Sequence, residues 1–500
     1  MRKLIIFSVL LTLFSSCSDW LDVNQSPNTP QETSAANRLR AMIDNSINGK
    51  CLDDLYTSYY IQYYSRTTPY FMEKLQWSTT TGVNLWRTNY WEMGTNVRYA
   101  IEDAESKEAW DYVGAIEVLS AWSWMITTDR HGDMPLKEAF TDVIAPAYDS
   151  QKEIYEYVNE LLDDALVQLD KGGSENMPLS DGDLMYNGNV EKWKMFAYAL
   201  KARAANHLTK KSTYNADAVI SYIDQSFISN AENPEPYFES TGEGSTSDVV
   251  WSPARANINT CRPTNFLISL LNGDVFNVED PRLRLMFNES TDGIVKGITP
   301  TVGDENSPGA ASMYDKFWSS EDSKVRYASY WENQFVKAEA AFRKPDKNLA
   351  LSALKEGIRA HMQYAGATTQ QITDFLASEA ISQSSEELTL SEIMCQKYVA
   401  LFPSSTETWT DMRRMDFSSD IYVGLELPIN YDPKESGNGH WPRRWLYRRY
   451  SEGDYNKPQL ILVGAMDEDY TTLDSYLWKK VWWDREDDAN DTETPNPQPY

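Results

Sequence analysis

Cysteine and histidine are scarce in this chain of 500 residues, which has four of each. The cysteines are Cys17, Cys51, Cys261 and Cys395, so no two of them form a CxxC pair. This sparse, wide spacing excludes both a disulfide framework and a zinc site of paired cysteines. The histidines, His131, His207, His361 and His440, also lack the spacing of metal ligands. We therefore predict neither a metal site nor a cofactor.

Catalytic and nucleotide-binding motifs are missing as well. HExxH, GxSxG, GxxxxGK[ST] and GxGxxG do not occur in the sequence. DGDLMYNGN begins like a calcium loop, but Met185 stands where the third oxygen ligand is needed. His131 lies between Asp129 and Asp133, and we expect this to be a helix-ending turn with solvated charges rather than an acid–base site. We predict a binding protein, not an enzyme.

Basic residues and long apolar runs are also few. The chain has 46 Lys and Arg against 74 Asp and Glu, a formal net charge of −28. Such a surface repels phosphate backbones, which excludes nucleic acid as a partner. Beyond residue 14 no apolar run is long enough to cross a membrane.

The first 17 residues have the pattern of a lipoprotein signal. Residues 2 and 3 are basic, residues 4–14 are apolar, and two serines precede Cys17. We predict that residues 1–16 are a signal peptide and that Cys17 carries lipid, which anchors the protein without a transmembrane helix. An ordinary secretory signal followed by an incidental cysteine is the alternative.

Aromatic residues are abundant, with 17 Trp and 30 Tyr. Their rings combine an apolar face with a polar tip, which suits stacking against sugar rings. We expect most of them to pack helices together and a minority to lie on a binding surface.

Apolar periodicity predicts a mostly α-helical chain. In CLDDLYTSYYIQYY, residues 51–64, apolar and aromatic positions recur at helical spacing. Helical signals cover residues 40–228 and 332–415, where TLSE at 389–392 fits a capping motif. A loop-rich insertion at 229–331, an irregular segment at 416–484 and an acidic tail at 485–500 complete the chain. Helix pairs are indicated, but a clean repeat of about 34 residues is not found.

Several longer stretches resemble one family. DLMYNGNVEKWKMFAYALKARAANHL, residues 183–208, joins an Asp-x-x-Tyr-x-Gly turn to a basic amphipathic helix. Further stretches of this kind are WSWMITTDRHGDMPLKEAF, ENQFVKAEAAFR, SEIMCQKYVALF with ETWTDMRR, and PRRWLYRRYSEGDYNKPQL. Together they resemble the SusD/RagB family of outer-membrane lipoproteins, and its second SusD-like subfamily in particular. The resemblance covers roughly residues 17–484, and the acidic residues after Cys17 resemble the export signal of Bacteroidetes surface lipoproteins.

This resemblance implies a single SusD-like domain at residues 17–484. Its fold would be a tetratricopeptide-type scaffold of helix pairs with a loop-rich ligand-binding part. The implied partner is a SusC-like TonB-dependent β-barrel, over which the lipoprotein sits at the outer face of the outer membrane. The implied function is capture of a nutrient, usually an oligosaccharide, for uptake. A peptide receptor on the same scaffold, a surface glycoside hydrolase and a structural or adhesive protein remain alternatives.

Two aromatic segments correspond to the ligand-binding loops of such proteins. In residues 63–86 and 313–331, aromatic rings would stack on sugars while polar groups hydrogen-bond hydroxyls. The candidate ligand residues are Arg66, Tyr70, Trp77, Asn84, Trp86, Tyr314, Trp318, Tyr327 and Trp331. Trp318 is the strongest candidate because polar residues flank it. Trp91 and Trp193 lie inside helical motifs, and we assign both to packing.

Overall fold

The computed structural model describes residues 33–76, 83–238, 241–245, 248–303, 313–431, 439–448, 450–469, 471 and 473–486. Residues 1–16, Cys17, Trp77 and residues 487–500 of the predicted tail lie outside the described residues. The described chain is mostly helical, which confirms the predicted fold class.

The α-helices are α1 (Ala35–Tyr60), α2 (Asn84–Arg87), α3 (Gly94–Ser106), α4 (Trp110–His131), α5 (Gln151–Lys171), α6 (Val190–His207), α7 (Ala216–Asp224), α8 (Asn265–Ser269), α9 (Arg282–Met286), α10 (Tyr330–Arg343), α11 (Lys347–Tyr364), α12 (Thr369–Leu376), α13 (Leu390–Leu401), α14 (Ser405–Arg414), α15 (Glu452–Tyr455) and α16 (Lys457–Leu462). A π-helical turn, Thr88–Met93, joins α2 to α3. The 3-10 turns are Phe71–Lys74, Leu179–Asp181, Asn230–Glu232, Pro253–Arg255, Asp474–Trp478 and Trp482–Asp484. Strands β1 (Tyr64–Arg66) and β2 (Cys261–Pro263) pair antiparallel.

Side-chain caps start several of these helices. Ser150 and Glu153 form a reciprocal capping box at the start of α5. Thr389 accepts a hydrogen bond from the N–H of Glu392 at the start of α13, where the sequence predicted a cap. Helix α4 ends at His131, and the next residue, Gly132, adopts φ +84°, a backbone conformation that glycine tolerates best. The predicted break after His131 is therefore confirmed.

Helices that follow one another in the chain pack as pairs. α4 packs on α5, α6 on α7, and α10 on α11, as expected for a tetratricopeptide-type scaffold. α4 and α5 lie close together at Gly114, where an added Cβ would lie 2.8 Å from the Ala165 carbonyl oxygen. The absence of a side chain at Gly114 thus allows this close pairing.

One cluster of buried apolar side chains runs from Ala35 to Trp483. α1, with 26 residues, packs against α3, α4 and α14 and so links the first helices to the last ones. No helix in the part of the chain that the structure describes is long and apolar enough to span a membrane.

The turn after α4 differs from its prediction. Asp129, His131 and Asp133 are only 3%, 1% and 4% exposed, so the expectation of solvated charges is wrong. Asp129 accepts a hydrogen bond from the Trp483 indole at 2.8 Å, and Asp133 accepts one from the Gln151 N–H at 3.0 Å. Trp483 is distant in sequence and Gln151 is the first residue of α5, so neither partner is visible within the turn itself.

Candidate ligand-binding site

The two-stranded sheet anchors the first predicted ligand segment at Arg66. Beyond β1, the N–H of Thr67 extends the ladder by donating to the Thr260 carbonyl at 2.9 Å. At the end of β2, the Pro263 carbonyl accepts a hydrogen bond from the N–H of Ile298 at 2.9 Å. Three segments far apart in sequence therefore meet at this sheet.

A buried carboxylate, Glu73, holds the same segments together. It accepts hydrogen bonds from the Ser65 hydroxyl at 2.7 Å and from the N–H groups of Arg66 at 2.7 Å and Thr301 at 3.2 Å. Burial raises the pKa of Glu73, and these hydrogen bonds act against the rise. Glu73 thus joins β1, the turn Phe71–Lys74 and the segment at Thr301 into one unit.

Arg66 and Tyr70 lie at the surface of this unit, and both are half-buried. The Arg66 guanidinium lies over the Tyr70 ring at 5.1 Å, and its Nε donates to the Thr260 hydroxyl at 3.3 Å. The Tyr70 ring also packs against Phe71 at 4.3 Å and Tyr59 at 5.2 Å. Burial raises the pKa of Tyr70 to about 12, so its hydroxyl stays a hydrogen-bond donor at neutral pH. Both side chains are held before any ligand arrives.

Tyr314 reaches the same place from the second predicted segment. Its hydroxyl accepts a hydrogen bond from the N–H of Ile258 at 3.2 Å, two residues before Thr260. The charges of Arg66 and Arg262 both act on the thiol of Cys261, and Arg262 also acts on Tyr314. We name this surface, formed by Arg66, Tyr70, Thr260, Arg262 and Tyr314, the arginine–tyrosine surface. It offers ring faces and hydrogen-bond donors side by side, which suits a polar ring-shaped ligand.

Three other predicted residues lie in the core. Trp318, Tyr327 and Trp331 are each 1% exposed, so the expectation that their rings face a ligand is wrong. The indole of Trp318 donates to the Met286 carbonyl at 2.9 Å, and that of Trp331 donates to the Ala400 carbonyl at 3.0 Å. Because these polar tips find carbonyl partners inside the protein, the rings fold inward from their loop.

Asn84 and Trp86 join α2 to its neighbours. The side-chain amide of Asn84 donates to Asp53 of α1 at 2.8 Å. Trp86 is buried, with its ring 4.9 Å from His131 and 5.6 Å from Tyr447, so its expected exposure is also wrong. Ligand contact by Arg66, Tyr70, Asn84 and Tyr314 stays a prediction.

Trp91 is an exposed residue that sequence reasoning assigned to packing. It lies on the π-helical turn and is 77% exposed, so that assignment is wrong. Trp193 is buried as assigned, and its indole donates to Asp183 at 2.9 Å. Asp183 also accepts N–H bonds from Met185 and Gly188, so it organises the turn that resembles a calcium loop.

Among the residues that the structure describes, no group of three or more His, Cys, Asp or Glu side chains could hold a metal ion. The described cysteines, Cys51, Cys261 and Cys395, are buried. Burial raises the pKa of each thiol, which keeps it protonated at neutral pH.

The fold defines a class of protein: a mostly helical scaffold of paired helices joined by long loops. A protein-family model of the second SusD-like family, described as "Starch-binding associating with outer membrane", matches residues 25–447. The chain belongs to this SusD-like family, as its motifs predicted.

Solved structures share the fold across most of the chain. A SusD/RagB family protein from Bacteroides thetaiotaomicron is 24% identical, covers 91% of this chain and 99% of its own, and has a TM-score of 0.71. A chitin-binding protein is 22% identical, with coverage of 90% and 99% and a TM-score of 0.72. A chitin-binding SusD homolog from Flavobacterium johnsoniae is 18% identical, with coverage of 90% and 97% and a TM-score of 0.67. None of the curated proteins matches the chain.

Proposed function

We propose that this protein captures an oligosaccharide at the outer face of the outer membrane for uptake through a SusC-like TonB-dependent transporter. The observation that carries the proposal is the arginine–tyrosine surface, where the half-buried Tyr70 lies under Arg66 and the half-buried Tyr314 contacts Ile258, two residues before Thr260. The description of the family as starch-binding and outer-membrane-associated supports the same function.

Binding at this surface is expected to be open and of modest affinity. Each sugar face on a tyrosine ring gains about 1 kcal/mol beyond simple burial, by analogy with aromatic pairs. Two such contacts and a few hydrogen bonds, less the cost of association, give a dissociation constant on the order of micromolar to millimolar. Fast release at that affinity suits hand-off to a transporter.

The position at the membrane follows from Cys17. Acyl chains on this residue anchor the protein, each buried methylene contributing roughly 0.8 kcal/mol. Labelling cells with radioactive palmitate tests this: label is expected in the protein and absent from the Cys17→Ser variant. Labelling that survives the change would contradict the anchor.

Calorimetry tests the ligand class. The chain from residue 18 is titrated with maltohexaose, chitohexaose, further neutral and acidic oligosaccharides, and a set of peptides. Saturable binding to a glycan, weakened at least about tenfold by Tyr70→Ala or Tyr314→Ala, is the expected result. Tyr237→Ala is the matched control, because Tyr237 is a tyrosine that is 76% exposed outside the arginine–tyrosine surface.

Other outcomes separate the alternatives. Binding of peptides alone would favour a peptide receptor. Slow cleavage of a bound glycan, seen by chromatography of the incubated mixture, would favour a glycoside hydrolase. Glycan binding that both tyrosine variants leave intact would keep the function and move the site elsewhere.

A further inference from the structure

Arg66 differs from the other arginines that the fold holds in place. Several arginines are buried against a carboxylate at 2.5 to 2.8 Å, namely Arg130, Arg203, Arg282 and Arg414. Arg413 and Arg444 instead donate to backbone carbonyls. The Arg66 side chain makes one hydrogen bond within the described ranges, from Nε to the Thr260 hydroxyl. Its two terminal nitrogens contact neither a carboxylate nor a backbone carbonyl of a described residue.

The nearby carboxylate does not neutralise Arg66. Glu73 binds the backbone N–H of Arg66, the Ser65 hydroxyl and the N–H of Thr301, and it forms no ion pair with a described residue. Arg262 lies on the neighbouring strand and adds a second positive charge near Cys261. The arginine–tyrosine surface is therefore locally cationic in a chain whose formal net charge is −28.

The net charge of the chain does not cancel this local field. Charges at the surface are screened over about 8 Å at physiological salt, so remote carboxylates act weakly on a ligand at Arg66. Groups in direct contact decide the local preference. At Arg66 those groups are its own guanidinium, the Tyr70 ring that it lies over and the Thr260 hydroxyl.

We propose that the arginine–tyrosine surface recognises an acidic oligosaccharide, one that carries carboxylate or sulfate groups, and that Arg66 determines this specificity. The inference rests on the proposed function and names the class of its ligand. The two terminal nitrogens of Arg66 form a planar fork that matches a carboxylate or sulfate with paired hydrogen bonds. Tyr70 below the guanidinium and Thr260 at Nε hold that fork in orientation, while the half-buried Tyr314 provides a contact for the sugar.

The test uses pairs of oligosaccharides that differ in one kind of group. Tetragalacturonate is compared with its methyl ester, which removes the carboxylate charge, and chondroitin hexasaccharide with its sulfated form. The chain from residue 18 is titrated with each by calorimetry. We expect the more acidic member of at least one pair to bind about tenfold tighter, as for hydrogen bonds between charged groups. The responding pair tells carboxylate from sulfate.

Variants assign the preference to Arg66. Arg66→Gln keeps a hydrogen-bonding side chain but loses the charge, and it is expected to weaken binding of the acidic member by about tenfold more than binding of the neutral member, so that the acidic preference disappears. Arg66→Lys keeps the charge without the fork and is expected to retain part of the preference. The matched control is Arg359→Gln on α11, a partly exposed arginine whose carboxylate neighbour is Glu356. Thermal unfolding checks that each variant folds.

Equal affinity within both pairs would overturn the inference. So would an Arg66→Gln variant that weakens both members of a pair alike, because the arginine would then serve hydroxyl groups. Binding of neutral oligosaccharides alone would leave the proposed function intact and refute the acidic class. Absence of binding to every oligosaccharide, neutral or acidic, would count against the proposed function as well.

Discussion

At the scale of single residues, Glu117 shows how burial sets pH dependence. It lies buried on α4 beside Asp164 of α5. Burial first, and the Asp164 carboxylate second, raise the pKa of Glu117 from 4.5 to about 8. Between these values the folded chain holds a proton that the unfolded chain has lost. This contribution to stability is present below 4.5 and is lost as the pH rises through about 8.

The variant Glu117→Gln keeps the size of the side chain and removes this titration. We expect the free energy of unfolding of the native chain to fall relative to that of the variant as the pH rises from about 5 to about 8.5. Urea unfolding followed by tryptophan fluorescence at several pH values measures the difference. Parallel pH profiles for the two proteins would contradict the prediction.

The pKa of His131 is shifted in the opposite direction, so its effect on stability changes with pH in the opposite sense. It is buried, stacked on Tyr447 at 5.8 Å, and its pKa falls from 6.5 to about 3 because of burial first and the Arg130 charge second. The unfolded chain therefore binds a proton at higher pH than the folded chain does. This contribution to stability is present above 6.5 and is lost as the pH falls toward about 3.

His131→Phe keeps an aromatic ring at this position without the titrating group. The variant is expected to lose less of its free energy of unfolding than the native chain between about pH 7 and about pH 5. The same urea titrations test this, with Glu117→Gln as an internal comparison of opposite slope. An equally steep acid loss in His131→Phe would show that other groups control it.

At the scale of elements, Gly114 sets how closely α4 and α5 pair. A Cβ at this position would lie 2.6 Å from the Leu169 Cγ and 2.8 Å from the Ala165 carbonyl oxygen. Gly114→Ala gains about 1 kcal/mol of helix propensity, but overpacking costs roughly 1–3 kcal/mol because the backbone carbonyl cannot rotate away. We expect net destabilisation, seen as a lower Tm in calorimetry. A raised Tm would mean that the two helices can separate slightly without loss.

Most helices could be predicted from the sequence because their signals are local. α11, Lys347–Tyr364, lies in the range 332–415 where helical signals were found, and the cap at Thr389 starts α13. Apolar spacing and capping residues act within a few turns, so they are visible without the rest of the chain. The π-helical turn at Thr88–Met93 has no such local signal here, and only the structure reveals it.

The candidate site could be predicted only in part, because the burial of its residues depends on contacts with segments that are distant in sequence. Trp318 is buried because a carbonyl 32 residues away in sequence accepts its indole hydrogen bond. Trp91 is exposed, although the buried residues Asn89 and Met93 flank it two positions away on either side. On an ideal α-helix two positions correspond to about 200° of rotation, which already places Trp91 opposite the face of Asn89 and Met93. The partner of Trp318 cannot be found by any local rule.

At the scale of the whole molecule, buried ion pairs link helices that are far apart in sequence. Arg414 of α14 donates two hydrogen bonds of 2.8 Å to Glu339 of α10 and one of 2.5 Å to Asp411. Arg130 of α4 donates to Asp53 of α1 at 2.6 Å. Burial of Glu339 opposes ionisation, yet the Arg414 guanidinium holds its pKa well below the usual range. Such pairs need both members, because either charge alone in the core lacks solvation.

Arg414→Met tests this dependence. The variant leaves Glu339 in the core without its main partner, and we expect a loss of about 3–5 kcal/mol in the free energy of unfolding. The double variant Arg414→Met with Glu339→Gln removes the stranded charge, while Asp411 keeps its ion pair with Lys397 at 2.7 Å. It should therefore be more stable than the single variant. Urea unfolding of both variants and of Glu339→Gln completes a double-mutant cycle. If the two single changes simply add, the helices are joined by their apolar contacts and the buried charges are not coupled.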